Sequence, residues 1–200
     1  SDVCSSDLAP PDQAARSQGL GWRVFLLALT VAAGSGAGAS PFPSVAVSVE
    51  QHAAGSESFR VAFVLPERRD PPPPLILVQH GSSPSVSMGH CPLLGSKKDC
   101  VKTDVFSKEL VTQAVTAGFA VAVIDAFSEL GLTSQDKSRF PNATRYAFAL
   151  LKALRGDARF DLARIYYTGF SYGGASVVTV INFPEVSFRA IAPVEAGCQR

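Results

Sequence analysis

The chain has 200 residues, of which 46% are hydrophobic, and its 18 basic residues nearly balance its 17 acidic ones. This length suffices for one domain with a hydrophobic core, and the hydrophobic share is ordinary for a globular protein. A net charge of +1, without any run of like charges, gives no reason to expect binding to nucleic acid or to an anionic membrane surface.

The first 39 residues predict no part of the folded domain. Residues 1–8, SDVCSSDL, resemble the translation of a sequencing adapter, with a natural polar N-terminus as the alternative. Residues 9–39 predict a signal peptide, because two arginines precede an apolar stretch over 24–33, and Ala37-Gly38-Ala39 fits a cleavage site. An N-terminal helix of the domain is the alternative, which the glycine-rich exit disfavours. A signal peptide implies an exported protein, periplasmic or extracellular. The apolar stretch is too short to span a bilayer, so we expect no stable membrane span.

Residues 40–200 predict a single α/β domain with a mostly parallel, doubly wound sheet. Two segments of alternating polarity predict a leading antiparallel pair of strands, with Arg60 facing solvent. Continuous apolar runs follow, as strands covered on both faces require. The predicted strands cover 45–49, 59–65, 75–78, 120–124, 164–168 and 190–194. Since helical segments alternate with the later strands, right-handed crossovers are expected between them.

Three helices are predicted from apolar residues at helical spacing, over 106–117, 143–154 and 172–182. Thr103 or Asp104 would provide the N-cap of the first helix, and Gly118 would end it. Chemistry in such sheets lies at the carboxyl ends of the strands, where the following helices begin.

The hexapeptide from Gly169 to Gly174, GFSYGG, lies between a predicted strand and a predicted helix. A G-x-S-x-G motif in this context is typical of a nucleophile elbow, so Ser171 is the predicted catalytic nucleophile. Gly169 and Gly173 would leave room for the tight turn, and Gly174 would let the helix pack closely. The backbone N–H of Tyr172, at the start of the helix, is a predicted oxyanion donor. The alternative is a glycine-rich N-cap in a non-catalytic fold.

A second oxyanion donor is expected from the loop after the third predicted strand. Gly81 permits an unusual turn there, and the N–H of Ser82 is the candidate. His80 precedes the serine, whereas this type of hydrolase orders its triad as serine, acid and histidine. We therefore expect His80 to shape the loop and assign no role to His52.

The predicted export would allow the cysteines to form disulfide bonds. Cys91 and Cys100 bracket a short loop and form a candidate disulfide, with free thiols as the alternative. Cys198 has no assigned partner. His90 beside Cys91 does not complete a zinc signature, so no metal or other cofactor is predicted.

Four segments together resemble the dienelactone hydrolase-like family of α/β-hydrolases, over residues 45–200. They are His80-Gly81, Asp125-Ala126-Phe127, Asp161 to Ile165 and Gly169 to Gly174. The resemblance implies acyl transfer from a small-molecule ester, with Ser171 where dienelactone hydrolases proper carry cysteine. A general carboxylesterase therefore fits better than a dienelactone hydrolase. A non-catalytic binding protein of this fold and a serine peptidase of related architecture are the alternatives.

The resemblance also implies where the rest of the triad lies. The acid and the histidine would follow later strands, beyond Arg200, so the chain is expected to be a truncated fragment with little activity of its own. Asp125 ends a predicted strand, where we expect it to shape the rim of the site. Glu195 ends another, at a position where some members of the superfamily place their acid.

Overall fold

A computed structural model describes residues 47–89, 100–125, 127–136, 139–183 and 187–196, which belong to one compact unit. The adapter-like residues 1–8 and the predicted signal peptide over 9–39 lie outside the described residues. So do Cys91 and Cys198, together with the first two residues of the predicted strand 45–49.

The described residues contain eight strands and three α-helices. The strands are β1 (Val47–Ala54), β2 (Glu57–Val64), β3 (Pro74–Gln79), β4 (Val86–Gly89), β5 (Cys100–Thr103), β6 (Ala120–Asp125), β7 (Asp161–Phe170) and β8 (Ala190–Val194). The helices are α1 (Val105–Thr116), α2 (Thr144–Ala153) and α3 (Tyr172–Thr179), and a 3₁₀ turn follows over Val180–Asn182. The predicted third helix, over 172–182, is thus shorter than expected.

Six strands form the main sheet, in the order β1-β2-β6-β3-β7-β8. The four strands from β6 to β8 in this order are parallel, whereas β1 pairs antiparallel with β2 and β2 antiparallel with β6. The predicted α/β architecture and the antiparallel leading pair are confirmed. Strands β4 and β5 form a separate antiparallel pair that was not predicted, because four-residue strands carry too little pattern to be recognised.

Both faces of the sheet are covered, which explains the unbroken apolar runs. On one face, Leu77 and Ile124 pack with Tyr146 and Leu150 of α2 and with Val177 of α3. On the other face, alternate strand residues pack against α1; they include Val78, Val121 and Val123, with Val111 and Val115 on the helix. One cluster holds α2 and α3, which follow β6 and β7, against the sheet, and the other holds α1, which precedes β6, against the opposite face.

Arg60 contradicts its prediction, because its side chain is buried rather than facing solvent. Its Nε lies 2.6 Å from a carboxylate oxygen of Glu129, and its Nη1 donates to the carbonyl oxygen of Cys100 at 2.5 Å. Alternation along β2 indicated only which face Arg60 occupies. The segment after β6 and the short strand β5 then cover that face, and an ion pair compensates for the buried charge.

Helix α1 begins at its predicted cap. Asp104, and not Thr103, is the N-cap: its Oδ1 accepts from the backbone N–H of Ser107 at 2.7 Å. Gly118 follows the helix with a φ of +87°, a conformation that favours glycine.

Candidate active site at the carboxyl edge of the sheet

Ser171 lies between the end of β7 and the start of α3, at the edge where the parallel strands end. Its backbone has φ of 52° and ψ of −112°, a combination that costs an ordinary residue about 1–3 kcal/mol. The backbone N–H of Ser171 donates to the carbonyl oxygen of Val194 at 2.9 Å, and its carbonyl accepts from Ala175 at 2.9 Å. The surrounding elements thus hold a strained serine at the position and in the context that a nucleophile elbow requires.

The glycines of the hexapeptide are required by close packing. A Cβ atom on Gly169 would lie 2.6 Å from the carbonyl oxygen of Gly173, and one on Gly173 would overlap the carbonyl oxygen of Gln79. A Cβ on Gly174 would lie 2.7 Å from the carbonyl oxygen of Val194. The turn is therefore packed backbone against backbone, with β3 on one side and β8 on the other.

The two segments that carry the predicted oxyanion donors lie side by side. Gly173 packs on the carbonyl groups of Gln79 and His80, and a Cβ on Gly81 would lie 3.1 Å from the ring of Phe170. Tyr172 is the first residue of α3, so its N–H belongs to the helix terminus, which has no intrahelical acceptors. Ser82 is partly exposed directly after Gly81. Donation by Tyr172 and Ser82 to a common oxyanion remains a prediction.

His80 is fully buried and takes part in the loop structure. Its Nδ1 lies 2.6 Å from the carbonyl oxygen of Gly81, and because a carbonyl can only accept, Nδ1 is the donor. Its ring also packs edge-on against Phe127, with the ring centroids 4.7 Å apart. These contacts agree with a loop-shaping role.

The side chain of Tyr172 holds the start of α3 in place. Its ring packs against Phe127 and Phe140, and its hydroxyl donates to the carbonyl oxygen of Pro141. Burial raises the pKa of this phenol, so the hydroxyl is retained as a neutral donor. Tyr172 therefore fixes the start of α3 through its side chain, which leaves its backbone N–H for the predicted catalytic role.

Asp125 holds the rim of the site through four hydrogen bonds. Its carboxylate accepts from the backbone N–H groups of Lys102, Phe127 and Ser128 at 2.9, 3.0 and 2.8 Å, and from the Ser128 hydroxyl at 2.5 Å. The side chain is fully buried. This arrangement agrees with the expected structural role and ties the segment after β6 to β5.

Glu195 follows β8 directly, next to the residue that accepts from Ser171. It has a φ of +47°, which is unusual for a residue other than glycine, and its side chain is exposed. It therefore stands at the correct edge of the sheet for the acid role that some members of the superfamily place there, and that role stays a hypothesis.

Cys100 is disulfide-bonded, and its partner lies outside the described residues. The predicted pairing with Cys91 stays a prediction. Its neighbours, however, are described: the Cys100 carbonyl accepts from Arg60, and two residues later the backbone of Lys102 donates to Asp125. The disulfide-bearing strand β5 is thus fastened to two strands of the main sheet.

No protein-family model matches the sequence, and no curated protein matches it significantly. Solved structures do. A protein assigned as a dienelactone hydrolase from Klebsiella pneumoniae subsp. pneumoniae superposes with a TM-score of 0.54 at 12% identity, over 76% of this chain and 60% of that one. Est1E from Butyrivibrio proteoclasticus gives a TM-score of 0.50 at 14% identity, over 73% of this chain and 50% of that one. The chain has the α/β-hydrolase fold.

The α/β-hydrolase fold of the chain is shared with enzymes of more than one kind. The acylaminoacyl peptidase of Pyrococcus horikoshii superposes with a TM-score of 0.50 at 14% identity, over 74% of this chain but only 22% of its own length. The chain thus spans between 22% and 60% of the proteins named here. Among the described residues, no helix is both long enough and apolar enough to cross a bilayer.

Sequence reasoning missed one residue of this site. Asp104 was recognised only as a candidate helix cap, yet its second carboxylate oxygen, Oδ2, accepts from the backbone N–H of Gly81 at 2.7 Å. The sequence held no signal for this contact, because the two residues are 23 positions apart and meet only when α1 packs on the sheet.

Proposed function

We propose that this chain is the nucleophile-bearing part of a secreted serine hydrolase that acts on small-molecule carboxylic esters. The observation that carries the proposal is the backbone of Ser171, which is held at φ 52° and ψ −112° between β7 and α3. Strain of this kind persists only where the surrounding structure imposes it, and it is concentrated at functional sites.

The proposed reaction is acyl transfer to water. Ser171 Oγ attacks the ester carbonyl carbon while a histidine, which we place outside the described residues, accepts the hydroxyl proton. The N–H groups of Tyr172 and Ser82 stabilise the oxyanion, and each such donor is worth roughly 3 kcal/mol. When the carbonyl re-forms, the bond to the alkoxy oxygen breaks and the histidine gives its proton to the leaving alcohol. Water then attacks the acyl-serine, losing one proton to the histidine, which returns it to Ser171 as the acid is released.

Ester hydrolysis is preferred over the alternatives by the combined observations. The serine elbow supplies the nucleophile, and the compared structures include a protein assigned as a dienelactone hydrolase. The similarity to an acylaminoacyl peptidase supports amide hydrolysis as the second candidate, although the chain covers only 22% of that protein. A binding protein without catalytic activity is the outcome if Ser171 proves unreactive.

An active-site label on the whole protein tests the proposal. A fluorophosphonate probe should label the wild type, and Ser171→Ala should abolish the labelling. Ser176→Ala is the matched control: this serine lies in the first turns of the same helix, is buried, and donates to the carbonyl oxygen of Tyr172 at 3.1 Å. A wild type that resists the probe while folded would refute the serine mechanism and leave the binding protein.

Substrate class needs its own measurement. Rates on p-nitrophenyl esters and on matched p-nitroanilides, with Ser171→Ala as the blank, separate ester from amide hydrolysis. We expect the esters to react and the anilides to remain intact. A preference for the anilides would instead support the peptidase.

Export is tested by the N-terminus of the secreted protein. If residues 9–39 are a signal peptide, expression with its natural leader should deliver a protein that begins at Ser40 to the periplasm or the medium. Retention in the cytoplasm with the leader attached would contradict this part of the proposal.

A further inference from the structure

Asp104 uses both of its carboxylate oxygens, and for different purposes. Oδ1 caps helix α1 by accepting from Ser107 N–H, and Oδ2 accepts from Gly81 N–H, each at 2.7 Å. The residue is only 8% exposed, so these bonds are protected from competing water. Short bonds from N–H groups to an ionised carboxylate are among the stronger hydrogen bonds of proteins. Capping the helix requires only one of them.

The second bond falls on the oxyanion loop, which we define as residues 80–82. Gly81 is held there on both sides: Asp104 accepts from its N–H, and Nδ1 of His80 donates to its carbonyl oxygen at 2.6 Å. These two groups belong to the two peptide planes that meet at the Gly81 Cα. With both planes fastened, the φ and ψ torsions of Gly81 have little freedom to change.

The plane that contains the Gly81 carbonyl also contains the N–H of Ser82. In a trans peptide the carbonyl and the N–H point in opposite directions, so fastening one directs the other. Donor direction matters in an oxyanion hole, since a small misplacement costs much of the rate. We call the two hydrogen bonds that fasten Gly81, one to Asp104 and one from His80, the clamp. The clamp sets the direction of the Ser82 N–H before any substrate arrives.

We propose that Asp104 is a positioning residue for the oxyanion hole, which acts on Ser82 N–H through the backbone of Gly81. This inference rests on the proposed serine hydrolase function. Asp104 does not touch the reacting atoms, and its effect should appear in the transition state while ground-state binding of the ester is little changed. Asp104 is itself held in place, because it caps α1 and this helix packs against the sheet through Val111 and Val115.

The variant Asp104→Asn separates the cap from the clamp. Asparagine is a good N-cap, but its side chain has one accepting oxygen and an amide that only donates. It can satisfy Ser107 N–H or Gly81 N–H, but not both. Asp104→Ser likewise retains one accepting oxygen, and Asp104→Ala removes both bonds. Asp161→Asn is the matched control, since Asp161 also accepts from a backbone N–H, that of Ala163 at 3.0 Å, but begins β7 at the opposite edge of the sheet.

The experiment uses the whole protein and an activated ester. We expect kcat to fall about 10- to 100-fold in Asp104→Asn, with KM changed by less than about threefold. A trifluoromethyl ketone that mimics the tetrahedral intermediate should lose affinity by the same factor as kcat/KM, while binding of the carboxylate product should be unchanged. If Asp104 were only a helix cap, Asp104→Asn and Asp104→Ser would stay near wild type and only Asp104→Ala would be impaired. Asp161→Asn should match the wild type throughout.

The outcomes separate the two proposals. Wild-type kcat and ketone affinity in Asp104→Asn, in a protein whose Ser171 is labelled by the fluorophosphonate, would overturn the positioning role alone. Failure to label wild-type Ser171 would overturn the proposed function first. If the Asp104 variants do not fold, amide exchange in the wild type decides: the Gly81 amide proton should exchange slowly, and exchange at the unprotected rate would refute the clamp.

Discussion

Gly173 packs so closely on Gln79 that a Cβ atom at position 173 would overlap the Gln79 carbonyl oxygen. The contact joins the first turn of α3 to the last residue of β3, and so joins the serine elbow to the start of the oxyanion loop. Because both partners are backbone, neither can move aside to accommodate a side chain.

Gly173→Ala should therefore damage both stability and activity. We expect the free energy of unfolding to fall by about 1–3 kcal/mol or more, as for other overpacked sites, and kcat/KM to fall at least about 100-fold. Urea unfolding and ester hydrolysis measure the two effects. Gly55→Ala is the control: Gly55 has a φ of +67° but nothing within 4 Å of its Cβ position. It should cost about 1 kcal/mol through strain alone and leave activity intact, and equal activity losses in both variants would contradict the argument.

The strained backbone of Ser171 predicts an unusual order of stability. Ser171→Ala keeps the strain, whereas Ser171→Gly relieves it, because glycine adopts positive φ without penalty. Relief of about 1–3 kcal/mol should exceed the added entropy of glycine in the unfolded chain, about 0.4–1 kcal/mol. Ser171→Gly should thus be more stable than Ser171→Ala by about 1 kcal/mol in urea unfolding, with both inactive. A less stable glycine variant would show that the elbow is not strained.

The buried ion pair of Arg60 predicts an asymmetry between its partners. The Arg60 side chain is 5% exposed, whereas that of Glu129 is 29% exposed. Glu129→Ala would leave the guanidinium buried without the carboxylate that balances its charge and should cost about 2–4 kcal/mol of stability. Arg60→Met removes the buried charge and leaves a carboxylate that can be hydrated, so it should cost less. Urea unfolding compares the two variants.

The exposed pair of Arg139 and Asp136 provides the control for the ion pair. Arg139 lies 3.3 Å from the Asp136 carboxylate, and its side chain is 64% exposed. Arg139→Met should therefore change the free energy of unfolding by less than about 0.5 kcal/mol. An Arg60→Met variant as unstable as Glu129→Ala would refute the proposed asymmetry.

His52 predicts a pH dependence of stability. Burial lowers the pKa of its imidazole. The nearby charge of Arg159 lowers this pKa further, whereas the charge of Glu50 raises it in part. The unfolded chain therefore binds a proton more readily than the folded one, so stability is lost as pH falls through the unfolded pKa of about 6.5 and on to the folded value. The ring packs between Phe59 and Phe63, so phenylalanine should fit in its place.

The comparison of wild type with His52→Phe measures this effect. Unfolding in urea at several pH values from about 7.5 to 4.5 should show a smaller loss of stability in His52→Phe. Both proteins retain His80 and all carboxylates, so the difference between their profiles isolates His52. Parallel profiles would show that His52 does not contribute.

The sequence by itself determined most of the sheet and indicated Ser171 as the candidate nucleophile. GFSYGG between an apolar strand and a helix is a local signal, because the turn depends on residues adjacent in the chain. Unbroken apolar runs predicted strands buried on both faces, and the α/β architecture followed from their alternation with helices. Asp104 could be named as one of two candidate caps, beside Thr103, because capping is also local and acts three residues along the chain.

Only the tertiary structure decided what lies between distant segments. Alternation placed Arg60 on one face of β2, but Glu129 and Cys100, both far along the chain, decided that this face is buried. The second hydrogen bond of Asp104, to Gly81, depends on the packing of α1 against the sheet. The motif called for a glycine at position 173, but only the structure showed that the end of β3, at Gln79, is what it packs against. Hydrophobic periodicity reports which side of an element is buried, whereas the partner on that side is set by how the elements pack.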